Sequence, residues 1–182
     1  MNNRVVIHNY RDGKTKPKVH KTMVLQQEEL VQDIRNAAYI VADAIKTDNP
    51  DDRARIRDVA ELNNREWMFR WMDLSVGMVA NFLTLWSAKY MSDNSLVSDR
   101  YKELTCYHIH LEVPKGFPEN TFIYAKDLAH QFIVSKVMYE YLKHSFPEAA
   151  AVWKESADDL EEKLKDIASK QYGVIYRPFL PI

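Results

Sequence analysis

The chain has 182 residues, 46% of them hydrophobic, and a formal net charge of −1, enough for one sizeable core and too little to require two. Its four glycines stand apart at Gly13, Gly77, Gly116 and Gly173, which excludes a phosphate-cradling loop, where several closely spaced glycines let backbone N–H groups approach the anion. The single cysteine, Cys106, excludes an intramolecular disulfide and a multi-thiolate zinc site.

A lone thiol suits a reducing compartment, and no basic leader backed by an apolar stretch opens the sequence, so secretion is not expected. The most apolar run, LSVGMVANFLTLWSA at residues 74–88, is shorter than the ~20 residues a membrane span takes. It reads as a buried helix, with no membrane span. Charge is unevenly placed: residues 1–22 carry Arg4, Arg11, Lys14, Lys16, Lys18 and Lys21 against Asp12, a net +5 that leaves the remainder at −6. A basic arm hangs from an acidic body.

In chain order, RVVIHNYRDGKTKPKV reads as two short strands around Asp12-Gly13, a pair that tolerates the positive φ of a tight hairpin. Pro17 confines the second strand to an edge or an extended arm. A first helix is predicted over Gln26–Lys46, with Leu30, Ile34, Ala37, Val41 and Ala44 on one stripe and Glu29, Asp33 and Asp43 opposite. DNPDD then supplies the strongest helix start in the chain: Asn49 as N-cap, Pro50 at N1, and Asp51 and Asp52 against the positive helix end.

From Pro50 the pattern continues to about Met91, with an interruption at Asn63-Asn64. Trp67, Trp71, Leu74, Met78, Phe82 and Leu85 form one stripe that Met68, Met72, Val79, Leu83 and Trp86 widen, which predicts the central helix of a bundle, with contacts on more than one side. SDNSLVSDR is a loop by composition. TCYHIHLEV alternates, with Tyr107, Ile109, Leu111 and Val113 on one face and His108, His110 and Glu112 on the other, and TFIYA after PKGFPEN reads as its hairpin partner. A third helix is predicted over Asp127–His144. A fourth restarts at Pro147 with Ala150, Trp153, Ala157, Leu160, Leu164 and Ile167 as a narrow seam, Asp159/Lys163 and Glu161/Lys165 as i, i+4 pairs, and Gly173 as its stop.

The fold class this predicts is mainly α: a helical bundle with a long central helix, a β-hairpin inserted at about 105–125, and extended N- and C-terminal arms. The divisions are a basic arm at 1–22, the bundle at 23–173 and an apolar docking tail at 174–182.

Ligand chemistry is concentrated in His108, His110 and Glu112. Residues i, i+2 and i+4 of a strand project from one face, so two imidazoles and a carboxylate could hold a transition metal facially, and a metal-dependent enzyme is one alternative function. The alternation favours a simpler reading, in which these three face water while the apolar face packs inward; no metal, cofactor or catalytic residue is assigned. His130 and His144 lie on the third helix, where a cationic side chain near the C-terminus accounts for His144. Cys106 could act as a nucleophile if paired with a base, but a half-buried structural cysteine is the favoured reading. The six cations of the arm suit phosphates, which makes a nucleic-acid-binding module a second alternative, or docking on an acidic neighbour.

The strip Val174, Ile175, Tyr176, Arg177, Phe179, Leu180 and Ile182 holds one charge. Pro178 and Pro181 bar it from a helix or a central strand. Burying four or five such side chains is worth on the order of 6 to 12 kcal/mol before ordering costs, at ~1.5 to 3 kcal/mol each. It must therefore dock, either on its own bundle or on a neighbour. With Arg11, Lys14, Lys16 and Lys18 at the other end, two extended arms that order against neighbouring subunits are the more economical account.

The paired helices of DLAHQFIVSKVMYEYLKHSFPEAAAVWKESADDLEEKLKDIASK followed by YGVIYRPFLPI resemble the second half of the head-tail adaptor, or connector ring, proteins of tailed bacteriophages, over roughly residues 105–182. The resemblance implies a virion structural protein assembled in the host cytoplasm. It would form a ring of its own copies between portal and tail proteins, through which DNA passes without sequence-specific binding, and it would not be an enzyme.

Overall fold

In a computed structural model, residues 18–47, 49–61, 64–83, 89–91 and 105–170 are described. In chain order they form strand β1 (Lys18–Gln26), helices α1 (Gln27–Ala44) and α2 (Pro50–Arg57), a 3-10 turn at Asp58–Ala60, helix α3 (Arg65–Phe82), strands β2 (Lys89–Met91) and β3 (Cys106–Pro114), and helices α4 (Glu119–Leu142) and α5 (Pro147–Lys170). The protein is mainly helical with an inserted antiparallel β element, the class its sequence predicts. The hairpin expected around Asp12-Gly13, the stop at Gly173 and the strip at 174–182 lie outside the described residues.

The sheet has the order β1-β3-β2, antiparallel throughout. β3 alternates without a fault between half-buried and fully buried positions, because successive strand side chains point to opposite faces. Tyr107, Ile109, Leu111 and Val113 are buried on the inner face with Met23 and Leu25 of β1. The partner of β3 is the principal correction to the hairpin reading. TFIYA, residues 121–125, is helical, and β3 pairs instead with β1, from Lys18 opposite Pro114 to Gln26 opposite Cys106, and with the short β2.

The reason lies in the turn. Phe117 N–H donates to the Pro114 carbonyl at 3.0 Å while Gly116 sits at φ 87°, a left-handed conformation that glycine takes without Cβ penalty. Pro118 then occupies the N-cap and Glu119 the first turn, where an acidic side chain favours the helix. The β-branched, aromatic look of TFIYA is a weak local preference. It yields to tertiary packing, because on a helix Phe122, Ala125 and Ala129 fall on one buried face.

α4 is the centre of the bundle, packing on α5, α3, α1 and β1. It is buried on most sides, from Phe122 through Leu128, Phe132, Ile133 and Val137 to Leu142, as a helix hydrophobic all round must be. The helix expected to run from Pro50 to Met91 is divided. α2 gives way to the 3-10 turn, α3 stops at Phe82, and residues 89–91 are strand. The stripe on α3 is also corrected. Met68, Met72, Val76, Val79 and Leu83 are fully buried, whereas Trp67, Trp71, Met78 and Phe82 flank them and Leu74 is 51% exposed.

The large rings on that flank cover the edge of the core rather than fill it. Trp67 meets Trp71 at 6.1 Å and Tyr141 of α4 at 5.4 Å between ring centroids, and the Tyr141 hydroxyl donates to the Arg55 carbonyl at 2.6 Å. α2 is thereby tied to α4. At the start of α2 the expected cap is present: Asn49 Oδ1 accepts from Asp51 N–H at 3.0 Å, with Pro50 at the first position. α1 begins and ends within two residues of its expected limits, with Leu30, Ile34 and Ala37 buried. Farther along, burial passes to Ala38 and Ala42 while Ala44 is exposed, the drift of a 3.6-residue turn against a strict three-four spacing.

α5 returns against α4. Ala150, Ala157, Leu160 and Leu164 form the buried seam, and Ser135 and Ser156 meet across it with their hydroxyl oxygens 3.2 Å apart. Its wet side carries the two expected ion pairs, Lys163–Asp159 at 2.6 Å and Lys165–Glu161. No helix among the described residues is long and apolar enough to cross a membrane.

Candidate functional site

Two places gather polar chemistry. The first is the outer face of the sheet. The β1–β3 register puts His20 opposite Glu112, Thr22 opposite His110, Val24 opposite His108 and Gln26 opposite Cys106. His108 and His110 stand side by side, rings 6.3 Å apart at 77°, as strand geometry requires of residues i and i+2.

Each ring has its own partner. His108 Nε2 lies 3.0 Å from Cys106 Sγ, His110 Nδ1 lies 3.1 Å from Thr22 Oγ1, and Glu112 faces Lys18 Nζ at 3.4 Å. The two imidazoles and the carboxylate therefore share a face without converging on one point. Among the described residues no group of three or more histidine, cysteine, aspartate or glutamate side chains is placed to hold a metal ion. His20 completes this face and was not singled out from the sequence; the alternation of KVHKTMVLQ, with Met23 and Leu25 inward, is the signal that marks it.

The second place is a cleft of about 940 Å³ where β1 passes into α1, bordered by the start of α3 and the middle of α4. Glu28, Glu29, Gln32 and Asp33 line one side, Arg65 and Phe69 another, and Thr105 and His130 close it. Asp33 Oδ2 lies 2.8 Å from His130 Nε2, so the carboxylate sets the orientation of the imidazole. Thr105 brings the hydroxyl of this lining, and acidic side chains outnumber basic ones, which suits a cationic or neutral guest better than an anion.

Behind the cleft runs a buried polar chain. Gln27, 5% exposed, donates from Nε2 to the Tyr107 hydroxyl at 3.4 Å, and that hydroxyl donates to Asp73 Oδ1 at 2.8 Å. Burial raises the Asp73 carboxyl above its ordinary range, and the Tyr107 hydrogen bond opposes part of that rise. Since Gln27 N–H also donates to the Thr105 carbonyl at 3.2 Å, the chain joins α1, β3 and α3. Its geometry is that of a structural clasp.

Of the residues expected to form interfaces, Lys18 is described and pairs with Glu112. Arg11, Lys14, Lys16, Val174, Ile175, Tyr176, Arg177, Phe179, Leu180 and Ile182 lie outside the described residues. A second cation of the basic arm, Lys21, is held by Glu119 of α4 and lies over the Phe122 ring at 4.9 Å. His144 is exposed just beyond α4. No family model, no curated protein and no solved structure matches the chain.

Proposed function

We propose that this protein is a structural subunit of a homo-oligomeric assembly, and at the finer level a virion component: one copy in the head-tail connector ring of a tailed bacteriophage, between portal and tail proteins. The observation that carries the reading is the composition of residues 174–182, six apolar side chains and two prolines around a single charge. A segment of that make-up finds its stability by docking. The α4–α5 hairpin precedes it in the chain. The body is acidic, net −6 beyond residue 22, and like-charge repulsion would let DNA pass a lumen without adhering.

The use of the arm's cations favours this reading over a nucleic-acid-binding module. Lys18 and Lys21 are engaged by Glu112 and Glu119 of the same chain, which lowers the number of cations available to release counterions from phosphates. The mass of the full chain in solution tests the proposal, alongside a chain lacking residues 174–182. A ring visible by electron microscopy that falls to monomers on truncation is the expected result. A monomer whose truncated form is equally soluble and stable overturns it.

A further inference from the structure

The outer sheet face holds a pair that the assembly reading does not use. Cys106 is half-buried at the start of β3, and its Sγ lies 3.0 Å from His108 Nε2. Both positions face outward, because the strand alternation sends Tyr107 between them into the core. A thiol in contact with an imidazole can lose its proton to that ring as the sulfur attacks, the arrangement that activates a cysteine nucleophile. His108 is itself half-buried.

Cys106 keeps part of its surface exposed. Thr105, the preceding residue, is exposed, and both Thr105 and Gln26, the cross-strand neighbour of Cys106, border the 940 Å³ cleft.

We infer that Cys106 and His108 form a base-assisted thiol site that takes part in thiol–disulfide exchange with low-molecular-weight disulfides. Sγ attacks one sulfur of the disulfide; the Cys106–sulfur bond forms as the original sulfur–sulfur bond breaks. The thiol proton passes to His108 Nε2 and from there to the departing thiolate, so the imidazole ends neutral. One disulfide is consumed and one is made, with no other oxidant. The product places a bulky group on the outer face of the sheet beside β1. Assembly state and thiol reactivity are separate properties, so the fate of either proposal leaves the other standing.

Cys106 is the chain's one thiol, which makes the test direct. The folded full-length chain is incubated with oxidised glutathione at pH 7, and adduct formation is followed by intact mass. The wild type is expected to react at least about tenfold faster than the same chain unfolded in urea, and His108→Gln to lose about that factor, a floor set below the ~10²–10⁴-fold that a positioned base contributes in full. His110→Gln, which removes the neighbouring ring without touching sulfur, is expected to stay within about twofold of the wild type. Cys106→Ser abolishes the adduct. A His108→Gln chain that keeps its fold and reacts as fast as wild type overturns the inference, and so does a folded chain that reacts no faster than the unfolded one.

Discussion

The hydroxyl of Tyr107, on the inner face of β3, donates to Asp73 Oδ1 of α3 across 2.8 Å. This bond fastens the sheet to the helix layer at a point where Tyr107 is fully buried. Tyr107→Phe leaves the Asp73 carboxylate without its donor in a partly desolvated place and is expected to cost about 1–3 kcal/mol, the penalty for a buried polar group left unsatisfied. A urea midpoint that matches wild type would show that water serves Asp73 equally well.

The same carboxyl makes stability depend on pH. Burial raises the Asp73 value in the folded state, so folding favours the protonated form. The contribution is fully present below the ordinary aspartate value and is lost as pH climbs through the raised one. Asp73→Asn, which keeps an oxygen to accept from Tyr107, is therefore expected to melt at or above the wild-type temperature at pH 7. The two melting curves should converge as the solution is brought to about pH 4. Thermal melts across that range decide the sign, and an Asn variant that is weaker at neutral pH than at acid pH relative to wild type would contradict it.

At the start of α2, Asn49→Ala removes the side-chain acceptor for Asp51 N–H. The helix that follows has eight residues, too few to hold by propensity. The loss is expected to be about 1 kcal/mol, with amide exchange rising first in residues 51–53.

In the core, Phe132 of α4 is 1% exposed and meets Phe82 of α3 edge-on at 5.2 Å. Phe132→Ala is expected to cost about 3–5 kcal/mol, a large share of the ~5–15 kcal/mol that holds a typical domain together. Chemical denaturation measures it directly. Phe132→Leu, closer in volume, should cost well under half as much.

Gly116→Ala isolates backbone strain. Nothing lies within 4 Å of a Cβ built there, yet φ is +87°. An alanine is expected to cost about 1–2 kcal/mol from conformation alone, and a variant as stable as wild type would mean that the turn can re-form with negative φ.

Much of the fold could be read directly from local patterns. Asn49 and Pro50 announce a helix start whatever lies around them, because a cap needs only its own next residues. The α5 seam and the inward face of Tyr107, Ile109, Leu111 and Val113 follow from periods of 3.6 and 2, which belong to the backbone. The outward placement of His108, His110 and Glu112 follows from the same alternation, and so does the class of the fold.

Only the tertiary structure decided what those elements meet. Two distant segments had to pair before His20 could stand opposite Glu112, and the partner of β3 is 88 residues earlier where Thr22 meets His110, beyond any local signal. TFIYA became helix because a helix buries Phe122 and Ala125 against the bundle, a gain that a short stretch of residues cannot register by itself. Cys106 acquired its base by another route: the i, i+2 spacing placed His108 on the same face, but the 3.0 Å contact depends on how the finished sheet seats the two side chains. Periodicity is a property of one segment, whereas a contact is a property of two, and chemistry in this protein begins with contacts.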